Sequence, residues 1–127
     1  GDRLRDPRRA RDAFDRLIPD VAGDGSARAD VIVEAIFENV DAKRSLFAVL
    51  EAKAKPEAIL ATNTSSIPLE DIATAMADPT RLIGLHFFNP VAKMMLVEIV
   101  QGKATRAELT APAAALNCRC RRVSRAA

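Results

Sequence analysis

The sequence predicts an α/β fold built on a mainly parallel sheet. Apolar runs rich in β-branched residues, typical of buried strands, alternate with amphipathic helical patterns along most of the chain. The connections between them are short, as in right-handed crossover units. The last two predicted strands are joined by only about five to seven residues, too few for a helical crossover, so this pair is expected to be antiparallel.

Composition indicates one soluble domain and no specialised partner class. The chain has 127 residues, a net charge of +2 and 49% apolar residues. Six arginines in residues 1–16 and four in residues 119–125 lack interleaved aromatics, so they predict solvated surfaces and no nucleic-acid partner. No apolar segment approaches a membrane span and no signal peptide is visible, which predicts a cytoplasmic protein with no membrane partner. Cys118 and Cys120 form neither a disulfide framework nor a metal-binding pattern, so no metal is expected.

The first half of the chain contains a helix, a strand and a second helix. Residues 8–18 have apolar positions at helical spacing, namely Ala10, Ala13, Phe14, Leu17 and Ile18. Residues 30–37 read as a strand covered on both faces. A helix then begins at Asn39 or Asp41 and runs to about Ala54. Its predicted inner positions are Leu46, Val49 and Leu50.

The second half predicts three strands, one helix and a tail. The strands are residues 58–63, 81–88 and 95–100. The helix between the first two has an apolar stripe formed by Leu69, Ile72, Ala73 and Met76. Residues 105–127 show neither helical nor strand periodicity, so we expect a structured domain over residues 1–104 followed by a disordered basic tail.

The only histidine, His86, precedes an acidic residue in an apolar run by twelve positions. If the last two strands fold back about Ala92, His86 and Glu98 lie opposite each other on one face. A carboxylate there fixes one imidazole tautomer and leaves the other ring nitrogen free as a general base. The alternative is a solvated Glu98 on an edge strand and an unconnected core histidine.

Two further stretches lie where predicted strands end, the edge at which open parallel sheets bind ligands. In "NTSS", residues 63–66, hydroxyls and backbone N–H groups suit a substrate oxygen, although simple helix capping explains them equally well. In "AIFENVDAK", residues 35–43, Glu38 and Lys43 suit a ribose or an amide. They are equally consistent with a solvated acid and a helix-surface lysine.

Three stretches together resemble the NAD-binding domain of 3-hydroxyacyl-CoA dehydrogenases. These are "ADVIVEAIFENVDAKRSLF", "ILATNTSSIPLEDIA" and "IGLHFFNPVAKMMLVEIV", which occur in that family's order and spacing. "SIPLEDIA" and "NPVAKM" particularly resemble the α subunit of the bacterial multifunctional fatty-acid oxidation complex. The resemblance covers about residues 4–102 and implies the second half of a Rossmann-like domain, with a parallel sheet and an antiparallel edge hairpin.

The resemblance implies an oxidoreductase of fatty-acid β-oxidation. Members oxidise L-3-hydroxyacyl-CoA to 3-ketoacyl-CoA and pass a hydride to NAD. By that resemblance, His86 is the general base for the 3-hydroxyl proton and Glu98 its orienting partner. Ser65 and Asn89 correspond to residues that contact both substrate and cofactor.

The cofactor positions implied by the resemblance lie mainly in one loop. Glu38 and Lys43 match cofactor-contacting residues, and Ile36 and Phe37 supply neighbouring backbone. No G-x-G-x-x-G turn for the pyrophosphate occurs in this sequence. We therefore expect a truncated domain that starts after the family's first strand–helix–strand unit, with weak or absent NAD binding and little or no activity on its own.

Two other expectations follow from the same comparison of motifs. Full-length relatives dimerise through a helical domain that we do not find in this sequence. The alternative to an enzyme is a non-catalytic remnant or a small partner-binding α/β module that uses an exposed sheet edge.

Overall fold

The structure, a computed structural model, describes residues 6–91, 93–94, 96–116 and 121–126. One five-stranded sheet contains, in chain order and in spatial order, β1 (Val31–Glu34), β2 (Ile59–Thr62), β3 (Leu82–Phe87), β4 (Leu96–Gln101) and β5 (Arg121–Ala126). The α-helices are α1 (Pro7–Phe14), α2 (Val40–Lys53), α3 (Leu69–Ala73) and α4 (Thr110–Leu116). Short 3₁₀ turns occupy Asp24–Ala27, Pro79–Arg81 and Ala107–Leu109.

The strand directions confirm the predicted α/β fold. β1 pairs with β2, and β2 with β3, in parallel, whereas β3 and β4 form the expected antiparallel pair. β5 pairs with β4 in parallel on its outer side, so the hairpin lies inside this sheet and not at its edge.

The helix α4 and the strand β5 lie in the segment that was predicted to be disordered, and that part of the prediction is wrong. α4 is a short helix of sequence "TAPAAAL", which offers no amphipathic pattern. β5 is rich in arginine, but its ladder with β4 is made by backbone groups. Backbone pairing with an open strand edge does not require an apolar pattern, so periodicity gave no signal here.

Apolar side chains are buried on both faces of the central strands. One face carries Ile59, Ala61, Ile83, Leu85, Ile99 and Ala113. The other face packs against α2 and α3 and includes Phe47, Leu60, Leu69, Ile72, Met76 and Leu82. Alternation along the strands places His86 and Glu98 on this second face, beyond the buried cluster.

The helix α1 is shorter than predicted and contributes no buried residue. It ends at Phe14, so Leu17 and Ile18 lie beyond it, although the sequence pattern placed both in the helix. The side chain of Phe14 is 74% exposed. An amphipathic pattern predicts that a helix forms but does not supply the surface that it packs against.

The helix α2 begins where one of the two predicted caps places it. The side chain of Asn39 accepts a hydrogen bond of 2.9 Å from the backbone N–H of Ala42, so Asn39 is the cap. The buried residues of α2 are Lys43 and Phe47. Val49 is exposed, so its prediction as an inner position is wrong.

Candidate active site

The imidazole of His86 lies beside the carboxylate of Glu98. The antiparallel register of β3 and β4 places the two residues directly opposite each other, which confirms the register predicted from the sequence. Nδ1 of His86 is 3.4 Å from Oε2 of Glu98. Their side chains are 25% and 22% exposed, so the pair is partly shielded but reachable from solvent. A carboxylate at Nδ1 favours the tautomer that leaves the Nε2 lone pair free.

A cavity of about 410 Å³ lies over this pair. Its lining combines the β3 and β4 residues Gly84, His86, Glu98 and Val100 with the loop and first turn that follow β2, Thr64–Glu70. This volume is within the usual range for small-molecule sites. A Cβ built on Gly84 would be only 2.9 Å from Cβ of Val100, so glycine permits the two strands to approach closely beside the cavity.

The loop after β2 is tied to the loop after β1 by one carboxylate. Oε1 of Glu38 accepts hydrogen bonds from the backbone N–H groups of Ser65 and Ser66, each at 3.2 Å. The hydroxyl of Ser66 donates to the same oxygen at 3.0 Å, and that of Thr64 also donates to it. Glu38 therefore fixes the loop that places Ser65 at the cavity.

These contacts also determine the charge of Glu38. Partial burial acts to raise the pKa of Glu38, but hydrogen bonds from Thr64 and Ser66 outweigh it and lower the pKa to about 2. The nearby charge of Lys43 acts in the same direction. Glu38 is thus a carboxylate bound to several donors, and the prediction that it could be a freely solvated acid is wrong.

Capping by a hydroxyl side chain, the alternative predicted for residues 63–66, is found at Thr64. Thr64 Oγ1 accepts a hydrogen bond of 3.0 Å from the backbone N–H of Ile67. Ser65 lies in the same turn and lines the cavity. Capping by Thr64 and a ligand contact by Ser65 are therefore compatible within one turn.

Lys43 is not the helix-surface lysine that the sequence alternative described, because it is fully buried. Its Nζ is 2.7 Å from Oε1 of Glu34, 3.3 Å from the carbonyl oxygen of Ile36 and 3.5 Å from Oε2 of Glu38. Sequence reasoning missed Glu34, whose other oxygen accepts a hydrogen bond of 2.6 Å from the Thr62 hydroxyl. The available signal was an acid at the end of an otherwise apolar strand.

The remaining predicted site residues, Ile36, Phe37 and Asn89, are not among the residues that line the cavity. β1 ends at Glu34, so Ile36 and Phe37 belong to the following loop and not to the strand. Asn89 follows β3 and is exposed, and it is not one of the residues that line the cavity described above. The contacts of these three residues with substrate or cofactor stay predictions.

Asn63 is a second residue that sequence reasoning did not single out. Its Oδ1 accepts a hydrogen bond of 3.1 Å from the backbone N–H of Phe87. This bond joins the end of β2 to the end of β3 next to His86. An asparagine directly after a buried strand was the available signal.

A metal site and a membrane-spanning helix are two further possibilities for the described residues. No group of three or more His, Cys, Asp or Glu side chains there comes together as a metal site. None of the helices in the described part of the chain combines the length and the apolar character that crossing a bilayer requires.

Comparison with known proteins gives a family-model match and several relatives. The family model for the NAD-binding domain of 3-hydroxyacyl-CoA dehydrogenase matches residues 3–124, which extends into the segment where the sequence motifs had ended. The α subunit of the fatty acid oxidation complex of Vibrio vulnificus is 47% identical over 89 residues, 70% of this chain. A probable 3-hydroxyacyl-CoA dehydrogenase of Caenorhabditis elegans is 51% identical over 82 residues, 65% of this chain. The chain spans only 13% and 28% of these two relatives.

Solved structures give the same result. The crystal structure of 3-hydroxybutyryl-CoA dehydrogenase from Escherichia coli matches with a TM-score of 0.88 and 37% identity, over 95% of this chain and 26% of that one. The dehydrogenase part of a multifunctional enzyme from C. elegans matches with a TM-score of 0.84 and 35% identity, over 93% of this chain and 28% of that one.

Proposed function

The chain belongs to the family of the 3-hydroxyacyl-CoA dehydrogenase NAD-binding domain, and from this premise we propose that it serves the oxidation of L-3-hydroxyacyl-CoA to 3-ketoacyl-CoA in β-oxidation. The observation that carries the proposal is the His86–Glu98 pair beside a cavity of about 410 Å³. A general base must reach an alcohol in a partly shielded site, and this pair supplies one.

His86 takes the proton of the 3-hydroxyl group in this proposal. Nδ1 faces Glu98 at 3.4 Å, so the proton on the neutral ring resides on Nδ1 and Nε2 accepts from the alcohol. The positive charge that develops on the ring is stabilised by the adjacent carboxylate. Glu98 therefore orients the ring and stabilises its protonated form, without taking the proton itself.

Ser65 and Glu38 position the reactants. The hydroxyl-bearing turn at Ser65 lines the same cavity as His86. We propose that Ser65 hydrogen-bonds a substrate or cofactor oxygen and that Asn89, which follows β3, approaches the same ligands from the other side. Holding the alcohol close to its base in one orientation lowers the entropic part of the barrier.

The residues present fit the nicotinamide end of NAD. The cavity offers the hydroxyl-bearing turn of Ser65 at the carboxyl end of β2, the edge at which open parallel sheets bind such ligands. Glu38 and the backbone of Ile36 and Phe37 would hold it, and the buried Lys43 would act through its contact with Glu38. NAD, when bound, supplies the hydride acceptor. Because the sequence has no G-x-G-x-x-G turn, we propose that the affinity of this chain for NAD is weak.

Reduction of acetoacetyl-CoA by NADH, at millimolar concentrations of both, tests the proposal on the 127-residue chain. We expect slow turnover that falls by about 10²- to 10⁴-fold in His86→Gln, because the variant lacks the proton-transferring nitrogen. Glu51→Gln is the matched control. Glu51 lies near the end of α2, and its carboxylate accepts hydrogen bonds from the backbone N–H groups of Ala77 and Asp78.

Two outcomes would contradict the proposal. One is a wild-type chain that is folded but gives no turnover under these conditions. The other is a His86→Gln variant that retains the wild-type rate. Equal loss of activity in Glu51→Gln would show that the assay reports stability and not the chemistry of His86.

A further inference from the structure

A buried acid–base network lies behind the cavity, at the carboxyl ends of β1 and β2. The carboxylate of Glu34 accepts three hydrogen bonds. They come from the backbone N–H of Ile36 at 2.6 Å, from Nζ of Lys43 at 2.7 Å and from the Thr62 hydroxyl at 2.6 Å. Neither charged side chain of this ion pair is exposed by more than 1%.

Stabilisation of the fold does not by itself explain this buried ion pair. Removing two charges from water is costly, and apolar side chains of similar volume often give equal or greater stability. Every oxygen of the Glu34 carboxylate nevertheless has a donor, so the network is fully formed. A buried ion pair of this kind is better explained by the arrangement it specifies than by the stability it adds.

The network continues from Lys43 to the cavity. The ammonium of Lys43 is also 3.5 Å from Oε2 of Glu38. The other oxygen of Glu38 holds the backbone N–H groups of Ser65 and Ser66. A continuous series of polar contacts thus connects Glu34, which does not line the cavity, to the turn that does.

We infer that Glu34 is a positioning residue: its carboxylate holds the Lys43 ammonium against Glu38 and so sets the position of the Ser65–Ser66 turn. The ammonium stands between two carboxylates, and its position depends on both. Within the described part of the chain, removing the charge of Glu34 leaves Glu38 as the only anionic partner of the Lys43 ammonium. Lys43 then moves towards Glu38, and the turn that Glu38 holds moves with it.

The variant Glu34→Gln isolates this effect. The amide oxygen still accepts from Ile36 and Lys43, and the amide nitrogen donates to the Thr62 hydroxyl, which reverses the direction of that bond. The three contacts are kept and the charge is lost. Amide resonances of the 127-residue chain are compared by two-dimensional NMR. We expect the Ser65 and Ser66 amides to shift in Glu34→Gln and to stay in place in Glu51→Gln. Should Glu34→Gln fail to fold, Glu34→Asp, which withdraws the carboxylate by one methylene, gives the same readout.

Shifts confined to the direct neighbours of Glu34, with Ser65 and Ser66 unchanged, would overturn the inference. If Glu34 had only a structural role, Glu34→Gln would lower the unfolding temperature without shifting the Ser65 and Ser66 amides.

A second readout depends on the proposed function. Titration of the same samples with NAD should give a Kd that is at least about fivefold weaker in Glu34→Gln than in the wild type, and unchanged in Glu51→Gln. If the wild type binds NAD and Glu34→Gln binds it with the same Kd, the positioning of the cofactor side chains by Glu34 is contradicted. If the wild type does not respond to NAD at all, the proposed function fails, while the Ser65 and Ser66 amides still decide the inference.

Discussion

Glu98, which lines the cavity, and Glu38, which holds the loop beside it, have different partners and therefore different properties. Oε2 of Glu98 is 3.4 Å from Nδ1 of His86, so its environment depends on whether that nitrogen carries a proton. Glu38 accepts hydrogen bonds from Thr64, Ser65 and Ser66, which hold it ionised and immobile. At the residue scale the first carboxylate is placed to orient the proposed base, and the second fixes a loop.

The pH dependence of stability tests the account of Glu38. Its pKa is lowered from 4.5 to about 2 in the folded chain. The ionised form therefore contributes stability that is fully present above about pH 5 and is lost as the pH falls towards 2. Because the side chain is 37% exposed, we expect no more than about 1–2 kcal/mol. Urea unfolding between pH 6 and 2.5 should show this loss in the wild type and a flatter profile in Glu38→Gln. Identical profiles would contradict the assignment.

Sequence reasoning reached some of these residues and not others for a definable reason. The spacing of His86 and Glu98 is a property of one hairpin, so alternation along two adjacent strands was enough to pair them. The partners of Glu34 come from β2 and α2 as well as from its own loop. Only the packing of three elements brings them together, and no local pattern encodes that arrangement.

At the scale of elements, the close approach of β3 and β4 places the pair beside the cavity. Gly84 and Val100 are opposite each other in the register, two residues from His86 and Glu98 respectively. A methyl group on Gly84 would be only 2.9 Å from Cβ of Val100. The hairpin therefore depends on a glycine at this position for its spacing.

Substitution of Gly84 tests that dependence. We expect Gly84→Ala to lower the free energy of unfolding by roughly 1–3 kcal/mol, because the added methyl group forces the strands apart. Val100→Gly removes the opposing Cβ, so the double variant should be less destabilised than the sum of the single variants. Chemical denaturation measures all four proteins. Additive effects would show that the two positions do not meet.

Element types were predicted better than element limits and inner faces. The strands β2 to β4 and the cap Asn39 follow from β-branched runs and from short polar residues at helix starts. The inner face of α2 was misassigned because hydrophobicity favoured Val49, whereas the structure buries Lys43 with an acid to neutralise it. A buried lysine is recognised only together with its partner.

At the scale of the whole molecule, burial is concentrated around the central strands. β2 is buried along its whole length, with apolar clusters on both faces. In contrast, α1 buries none of its residues. The sequence pattern of α1 looks like that of the packed helices α2 and α3. Amphipathicity indicates that a helix can pack against a surface, but it does not show that such a surface is present.

The same substitution at two phenylalanines tests this distribution. Phe47→Ala removes a side chain with 0% exposure and should cost about 3–5 kcal/mol of unfolding free energy. Phe14→Ala removes one that is 74% exposed and should change stability by no more than about 0.5 kcal/mol. Guanidinium unfolding compares the two variants. A loss at Phe14 equal to that at Phe47 would show that α1 packs against the core.

The ring of His86 offers the most direct test of the central claim, that an acid on one strand prepares an imidazole on the next as a base. The chain has one histidine, so ¹⁵N NMR of the imidazole reports this residue alone. At a pH where the ring is neutral, we expect the proton on Nδ1 and an unprotonated Nε2. Glu98→Leu removes the acceptor and should shift the ring towards the Nε2–H form. A neutral wild-type ring that carries its proton on Nε2, and is unaffected by Glu98→Leu, would contradict the account.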